Sequence, residues 1–435
     1  MSPNGADYAS LPSSDDTLRR ILPNGITVLV RENRASPAVV VNGYLQVGSQ
    51  DEPRDMQGLA GFVVDTMERG TQERDFGKLY EEVESIGAGF GLSSGTHITS
   101  FGAKGLADSL GLLLEILSDV LRNPAFDPLQ VEKVRTEILT DLQERTHDTR
   151  RMARLKFYEL AYPPTHPYHW SQLGYPETIA EIRREDLIGF HSTYFASEDL
   201  VIVIVGGIDA EVALEAVMQI FGSWDKHRPP RVSLPEVTAL TERREDRSTL
   251  ADKTQSSLCL GWPGPQRSDP DFIPCFVTNT LLGVFGMYGR LGRSIRETHG
   301  LAYYIYSRLD GGMGPGPWRI LGGFDPANTD RALELILQEL VALRTNPVDE
   351  TELQDSQSYL VGSLPLYLET NEGVARSLVN IERYRLGLDY LRRYQALIKA
   401  VTPEQIQDAA RKWLDPERFA LAIAGPPAAS SPRVT

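Results

Sequence analysis

Cysteine is nearly absent: Cys259 and Cys275 are the only two in 435 residues. That excludes a disulfide scaffold and a four-thiolate zinc site, and both thiols read as small apolar core residues. Histidine is scarce as well, with seven in all. His97, His147, His191, His227 and His299 show no ligand spacing. His166 and His169 form a His-x-x-His pair inside THPYHW, but with no carboxylate or Cys at helical spacing they read as loop packing. No apolar run approaches the roughly 18 residues that a membrane span needs. The opening MSPNGADYASLPSSDD has neither the basic start nor the apolar core of a secretory signal, so the expected location is cytoplasmic. Basic residues are in deficit, 44 Lys and Arg against 59 Asp and Glu, for a formal net charge of −15. This argues against nucleic-acid binding, which wants basic patches. It leaves a solvated acidic surface or a cavity that attracts basic peptides. Neither a Gly-x-Ser-x-Gly elbow nor a Cys–His nucleophile motif occurs.

What the chain does have is an α+β pattern written twice. Residues 21–33, ILPNGITVLVREN, read as a hairpin about an Asn-Gly turn. Strands are expected at 36–48, 88–94, 97–104 and 200–209, with helices between them at apolar periods near 3.6. In the second half SSLCLGWPG, LAYYIYSRLD and WRILGGFD read as strands, and DFIPCFVTNTLLG and MYGRLGRSIRETHG as helices. The segment LLEILSDVLRNPAFDPLQVEKVRTEIL parallels LILQELVALRTNPVDETELQDSQSYLV, with Asn-Pro pairs at 123–124 and 346–347. AIAG at 422–425 mirrors IVGG at 204–207. The expected fold class is therefore α+β with two tandem homologous units, each a mainly antiparallel sheet with helices packed on one face. The expected division is 1–225, a Pro- and charge-rich linker at 226–250, and 251–435.

One window stands out for chemistry. Residues 58–71, GLAGFVVDTMERGT, have the build of a zinc helix of the His-x-x-Glu-His type, which needs two imidazoles at i and i+4 on one face and a Glu between them. Here no imidazole and no Glu occupy those places. Together with LPNGITVLV, NPAFDPLQVEKVRTEIL, HPYHWSQLGYPETIAEI and FGMYGRLGRSIRETHGLAYYIYS in this order, the chain resembles the pitrilysin (insulinase-like) zinc peptidase family from about residue 20 to 425. Within that family it looks like the short-chain type, similar to mitochondrial processing peptidase subunits and to the zinc-free chain of bacterial two-chain peptidases.

The resemblance carries specific implications. The two zinc-binding His positions fall on Gly61 and Asp65, the catalytic Glu on Val64, and the third ligand near Asp141. Glycine cannot ligate zinc and valine cannot act as a base, so no metal or cofactor is expected in this chain; Asp65 and Asp141 read as solvated or salt-bridged acids. RETHGLAY, residues 296–303, keeps the family's Arg-x-x-x-Gly-Leu-x-Tyr pattern. Arg296 and Tyr303 are then expected to hold a substrate carbonyl and its oxyanion, with Gly300 turning the chain between them. The Gly283–Gly289 segment lacks the Lys-Ser/Thr ending of a phosphate cradle and is expected to serve structure or the peptide path. The expected function is a zinc-free, non-catalytic subunit of a heterodimeric metalloendopeptidase, inactive alone. Its partner would be a homologous chain with intact His-x-x-Glu-His and zinc, and an unfolded peptide would be held by strand addition. A homodimer is possible when the chain is isolated. The alternatives are a structural or peptide-binding homologue without a catalytic partner, and a metal enzyme using Asp65 and Asp141.

Overall fold

The computed structural model describes residues 11–231, 233–284 and 289–427. Eleven strands are present among them: β1 (Leu18–Ile21), β2 (Thr27–Glu32), β3 (Ala38–Leu45), β4 (Gly89–Ser94), β5 (Thr99–Leu106), β6 (Val201–Gly206), β7 (Arg244–Thr249), β8 (Ser256–Pro263), β9 (Ala302–Leu309), β10 (Pro317–Phe324) and β11 (Ala420–Gly425). They form a six-stranded sheet in the order β1-β2-β6-β3-β5-β4 and a five-stranded sheet in the order β7-β11-β8-β10-β9. Apart from β1, the two orders correspond strand for strand. In each sheet one pair is parallel, β2 with β6 and β7 with β11, and the other pairs are antiparallel. The α+β duplication expected from the paired motifs is present in this matching topology.

The chain packs into two compact units that do not follow its linear order. Unit 1 takes residues up to Leu142, those from Ser171 to 231, and Leu364–Arg393; unit 2 takes Gln143–Trp170, residues from Ser233 to Ser363, and those from Tyr394 to 427. Each unit thus recruits one helix from the opposite half of the sequence.

In unit 1 alternation sends Val28, Val30, Val39, Val41, Ile202 and Ile204 to one face, where they join Phe62, Val63 and Met67 of the Leu59–Met67 helix and Leu113, Leu114 and Leu117 of the Leu110–Arg122 helix in one buried core. Leu29, Val40, Val203 and Val205 point the other way and are also fully buried or nearly so. That second face is covered by the Asn371–Arg383 helix, which packs on β3 and β6 with Val374, Ala375, Leu378 and Ile381 buried. The helix is capped by Thr370, whose hydroxyl accepts from Gly373 N–H at 3.1 Å. It is pinned by Asn371 Nδ2 donating to Ala38 O at 3.2 Å and by a two-pronged Arg19–Glu382 bond at 2.7 and 2.8 Å. The larger helical layer therefore lies on one face, as expected, and a single helix closes the other. This double burial is why β6 reads as an unbroken apolar run, VIVIVG.

Unit 2 repeats the device with the Thr149–Ala161 helix, which packs on β7, β8 and β11. Its Ala153, Phe157 and Ala161 sit against Cys259, Ala420, Ala422, Ala424 and Leu321. The small residues of β11 and the buried thiol let the helix approach closely, so Cys259 is a packing residue. Asp148 caps the helix by accepting from Arg150 and Arg151 N–H at 2.8 and 3.0 Å. β7 falls inside the segment expected to be linker. Its sequence, REDRST, is polar because it is an edge strand with one neighbour, and its Arg247 pairs with Glu245 of the same strand at 2.6 Å and with Asp330 of the Thr329–Thr345 helix at 2.7 Å. Hydrophobic periodicity has nothing to register there. Among the described residues no helix is long and apolar enough to cross a membrane.

Phe157 is fully buried and is the bulkiest apolar contact from the Thr149–Ala161 helix to its sheet. Phe157→Ala is expected to lower stability by about 3–5 kcal/mol, measured by urea titration at matched protein concentration. A loss below about 1 kcal/mol would show that the helix is not what seals this face.

Candidate functional site

The Leu59–Met67 helix has no side chain at its own N-cap. Gly58, in the left-handed region at φ 94°, begins it. A Cβ there would lie 2.8 Å from both Gly174 Cα and Ile179 Cδ1, so both the backbone angle and the space demand glycine. The capping acceptor comes from outside: the Glu52 carboxylate accepts from Ala60 N–H at 2.7 Å and from Gly58 N–H at 3.2 Å. Burial pushes that carboxyl up to about 8, against the pull of the two backbone donors.

Along the helix, Gly61, Val64, Asp65 and the following Glu68 fall at i, i+3, i+4 and i+7 and share one face. Gly61 offers no donor atom, and a Cβ at this place would meet Gln172 O at 3.3 Å. Val64 is 1% exposed and belongs to the apolar core. Asp65 reaches solvent, yet the protein around it desolvates its carboxyl and pushes it up to about 6, opposed by Arg69 and reinforced by Glu137. Arg69 donates to Glu137 at 2.6 Å. Glu137 stands one turn before Asp141 on the Pro128–Thr146 helix, and Asp141 is itself engaged in an interaction. Glu68 accepts from Leu92 N–H of β4, and its carboxyl is raised, first by burial and in part by Asp65.

These residues do not fit zinc. A borderline-soft ion that takes His and Cys, or His with carboxylate, finds a glycine, a buried valine and an aspartate here. Among the described residues no group of three or more His, Cys, Asp or Glu is arranged to hold a metal ion. The histidines are engaged elsewhere. His191 Nε2 lies 3.0 Å from Leu121 O, His97 Nδ1 lies 2.7 Å from Gln50 Oε1, and His166 accepts from Tyr168 N–H at 3.1 Å while stacking on Tyr162.

In the second half, Arg296 lies exposed on the Gly292–Thr298 helix, a short segment wound in wide i→i+5 turns. Gly300 follows at φ 62°. Its N–H donates to Arg296 O at 3.1 Å, and Leu301 N–H donates to Ile295 O at 3.0 Å. This closes the helix and swings the chain into β9, as the sequence suggested for a glycine at this place. Tyr303 enters β9 with 80% of its surface exposed. Among the described residues neither the Arg296 guanidinium nor the Tyr303 hydroxyl has a hydrogen-bond partner. They stand four residues before and three residues after Gly300, whose positive φ turns the chain between them. Of the Gly283–Gly289 segment, residues 285–288 lie outside the described residues. Arg290 just beyond is held by Glu352 in two bonds of 2.8 and 2.7 Å.

The sequence singled out Gly61, Val64, Asp65, Asp141, Arg296 and Tyr303; it did not single out Glu52, Glu68, Arg69 and Glu137, which the fold places around the first of these positions. Glu68 and Arg69 stand inside the very window that was singled out. The i+7 spacing from Gly61 was the available signal for Glu68, and the i−4 spacing from Asp141 was the signal for Glu137.

Comparison with known proteins agrees over most of the chain. Residues 27–165 match the family model described as Insulinase (Peptidase family M16), and residues 181–360 match the one described as Peptidase M16 inactive domain. An uncharacterized zinc protease of Mycobacterium leprae is 26% identical over 419 residues, 94% of this chain and 91% of its own length. One from Bacillus subtilis is 26% identical over 417 residues, covering 93% and 97%. The beta subunit of bovine mitochondrial-processing peptidase is 27% identical over 420 residues, covering 93% and 83%. Among solved structures, a peptidase M16 inactive domain from Pseudomonas fluorescens superposes with a TM-score of 0.89 at 24% identity, covering 96% of this chain and 99% of that chain. A protease from Helicobacter pylori gives 0.87 at 18%, covering 96% and 100%. At these identities the solved structures establish the fold.

Two outcomes follow from the geometry. Metal analysis of the purified chain is expected to show no stoichiometric zinc; a tightly held equivalent would overturn the reading of Gly61 and Val64. Glu52, raised in the fold from 4.5 to about 8, contributes stability that is complete below pH 4.5 and lost as pH rises through 8. Urea titrations across that window are expected to move the difference between wild type and Glu52→Gln in favour of the variant. A difference that stays constant would show Glu52 charged throughout.

Proposed function

We propose that this chain, which belongs to the insulinase-like peptidase family M16, is a non-catalytic subunit of a two-chain metallopeptidase of the cytoplasm. A homologous partner with intact His-x-x-Glu-His would bring the zinc and its base. This chain would bring Arg296 and Tyr303 to the partner's site, and part of the wall around an unfolded peptide. The observation that carries the reading is the contrast between the halves. The first half has lost every group that could bind a metal or move a proton at positions 61 and 64. The second keeps the Arg-x-x-x-Gly-Leu-x-Tyr pattern with both donors exposed and unengaged among the described residues. A scaffold has no use for a carbonyl clamp of that kind.

The chemistry asked of the pair is modest and suited to them. A guanidinium presents fixed forked donors that stay charged at any working pH. A phenol beside it donates one further bond to oxygen as negative charge develops. The peptide itself would be held in extended form on a sheet edge, main chain to main chain, which accepts many sequences. Of the two edges of the unit 1 sheet, β1 and β4, the one that lies against the Leu59–Met67 helix is β4. The relatives named as zinc proteases and as a processing-peptidase subunit support the family setting, and the altered helix sets this chain apart from a self-sufficient enzyme.

The test is reconstitution. Mixed with an M16 chain that carries His-x-x-Glu-His, this protein is expected to produce activity on an internally quenched peptide that neither chain shows alone. Arg296→Ala is expected to lower kcat by about 100-fold, and Tyr303→Phe to lower it to a lesser degree, with pair formation unchanged by co-sedimentation. Full activity in the double variant would sink the clamp. Peptide binding without any gain of activity in the mixture would favour the peptide-holding homologue.

A further inference from the structure

β4 is the last strand of the unit 1 sheet, and its pairing with β5 uses one of its two sides. The other side presents the N–H and C=O groups of alternate residues, about 6.8 Å apart. Leu92 belongs to that side, because its N–H donates to Glu68 Oε1. Alternation puts Phe90 and Ser94 there as well. Glu68 follows the last turn of the Leu59–Met67 helix, which packs on β4, and reaches the strand from that end. The carboxylate also lies beside Gly91, where a Cβ would stand in ordinary contact with the same oxygen at 3.7 Å. Asp65, one turn earlier on the same face, adds a second acid close by; its charge acts on Glu68.

We infer that Glu68 is a resident competitor for the β4 edge, its carboxylate taking the main-chain donor that the carbonyl of an added peptide strand would take. The inference rests on the reading above, that this edge receives an extended peptide. The occupant that fits is a peptide strand bearing Lys or Arg. Its carbonyl replaces Glu68 on Leu92 N–H, and its cation then pairs with the displaced carboxylate and with Asp65. A neutral strand must expel Glu68 and gains no ion pair in return, and an acidic strand meets like charge. A second copy of this chain is a poor occupant for the same reason. Two β4 edges laid together would set Glu68 and Asp65 of each copy against those of the other, a known device for keeping open edges apart. Glu68 thus makes the edge selective by charge where main-chain pairing alone is indifferent to sequence.

The test is a binding titration, read by fluorescence anisotropy on the full chain. The probes are a fluorescein-labelled extended peptide rich in Val, Thr and Lys, the same peptide with Gln for Lys, and a version N-methylated at alternate residues. Glu68→Asp keeps the charge but shortens the reach; Glu68→Ala removes both. Both variants are expected to bind the Gln peptide about tenfold more tightly than wild type, the strength of one charge-assisted bond no longer being displaced. Preference for Lys over Gln is expected to persist in Glu68→Asp and to shrink in Glu68→Ala. Equal affinity of all three proteins for the Gln peptide would overturn the competitor alone. Absence of binding in all three, or undiminished binding of the N-methylated peptide, would overturn the edge reading and the inference with it. A wild-type dimer that competes with the peptide in sedimentation would assign the edge to a second copy.

Discussion

Both sheets are apolar on both faces, and each relies on a single helix to keep its second face from water. The Asn371–Arg383 helix does this for β3 and β6, and the Thr149–Ala161 helix does it for β8 and β11. Each comes from the opposite half of the sequence to the sheet it covers. Neither half of the chain can therefore complete its own core. Cut at the apparent linker, either half would leave a sheet face of valines, or of alanines and Cys259, in water. The duplication visible in the sequence is one of topology, while the folding unit is the whole chain.

That arrangement also sets where chemistry can be placed. The Leu59–Met67 helix lies on the larger helical layer of unit 1, with Phe62, Val63, Val64 and Met67 committed to the core. Only the stripe through Gly61, Asp65 and Glu68 is left to face outward beside β4. In this chain the stripe holds one absent side chain and two acids. With Glu137 and Arg69 it forms a charged surface. In unit 2 the corresponding edge strand, β9, carries Tyr303 as its second residue, just after the Gly300 turn that follows Arg296. The two units thus carry different residues at corresponding edges of corresponding sheets.

The repeated α+β architecture was legible because it rests on local signals: Asn-Gly at the first hairpin, Asn-Pro after each long amphipathic helix, and uninterrupted β-branched runs where strands are buried on both sides. β7 was not legible, because a charged edge strand carries no apolar period. The exchanged helices were not legible either. Nothing in the periodicity of TRRMARLKFYELA or NEGVARSLVNIER tells which sheet an apolar stripe will meet. At the site, Gly61 and Val64 could be judged from residue type alone, since no fold gives glycine a ligand atom. Glu52 and Glu68 could not, because their roles are contacts made across 8 and 24 residues with backbone groups that every sequence possesses.

The sequence by itself determined the class of fold, the two-fold repeat, the absence of a donor atom at Gly61 and of a base at Val64, and the glycine turn at 300. These depend on side-chain identity and on short-range backbone preferences. Tertiary structure alone decided which helix seals which sheet, that β4 pairs with one strand only among the described residues, and that the Glu68 carboxylate at the end of the Leu59–Met67 helix lies on its Leu92 N–H. Those outcomes depend on which surfaces meet, and burial rewards any apolar pair that fits, so the partners are chosen by the packed whole.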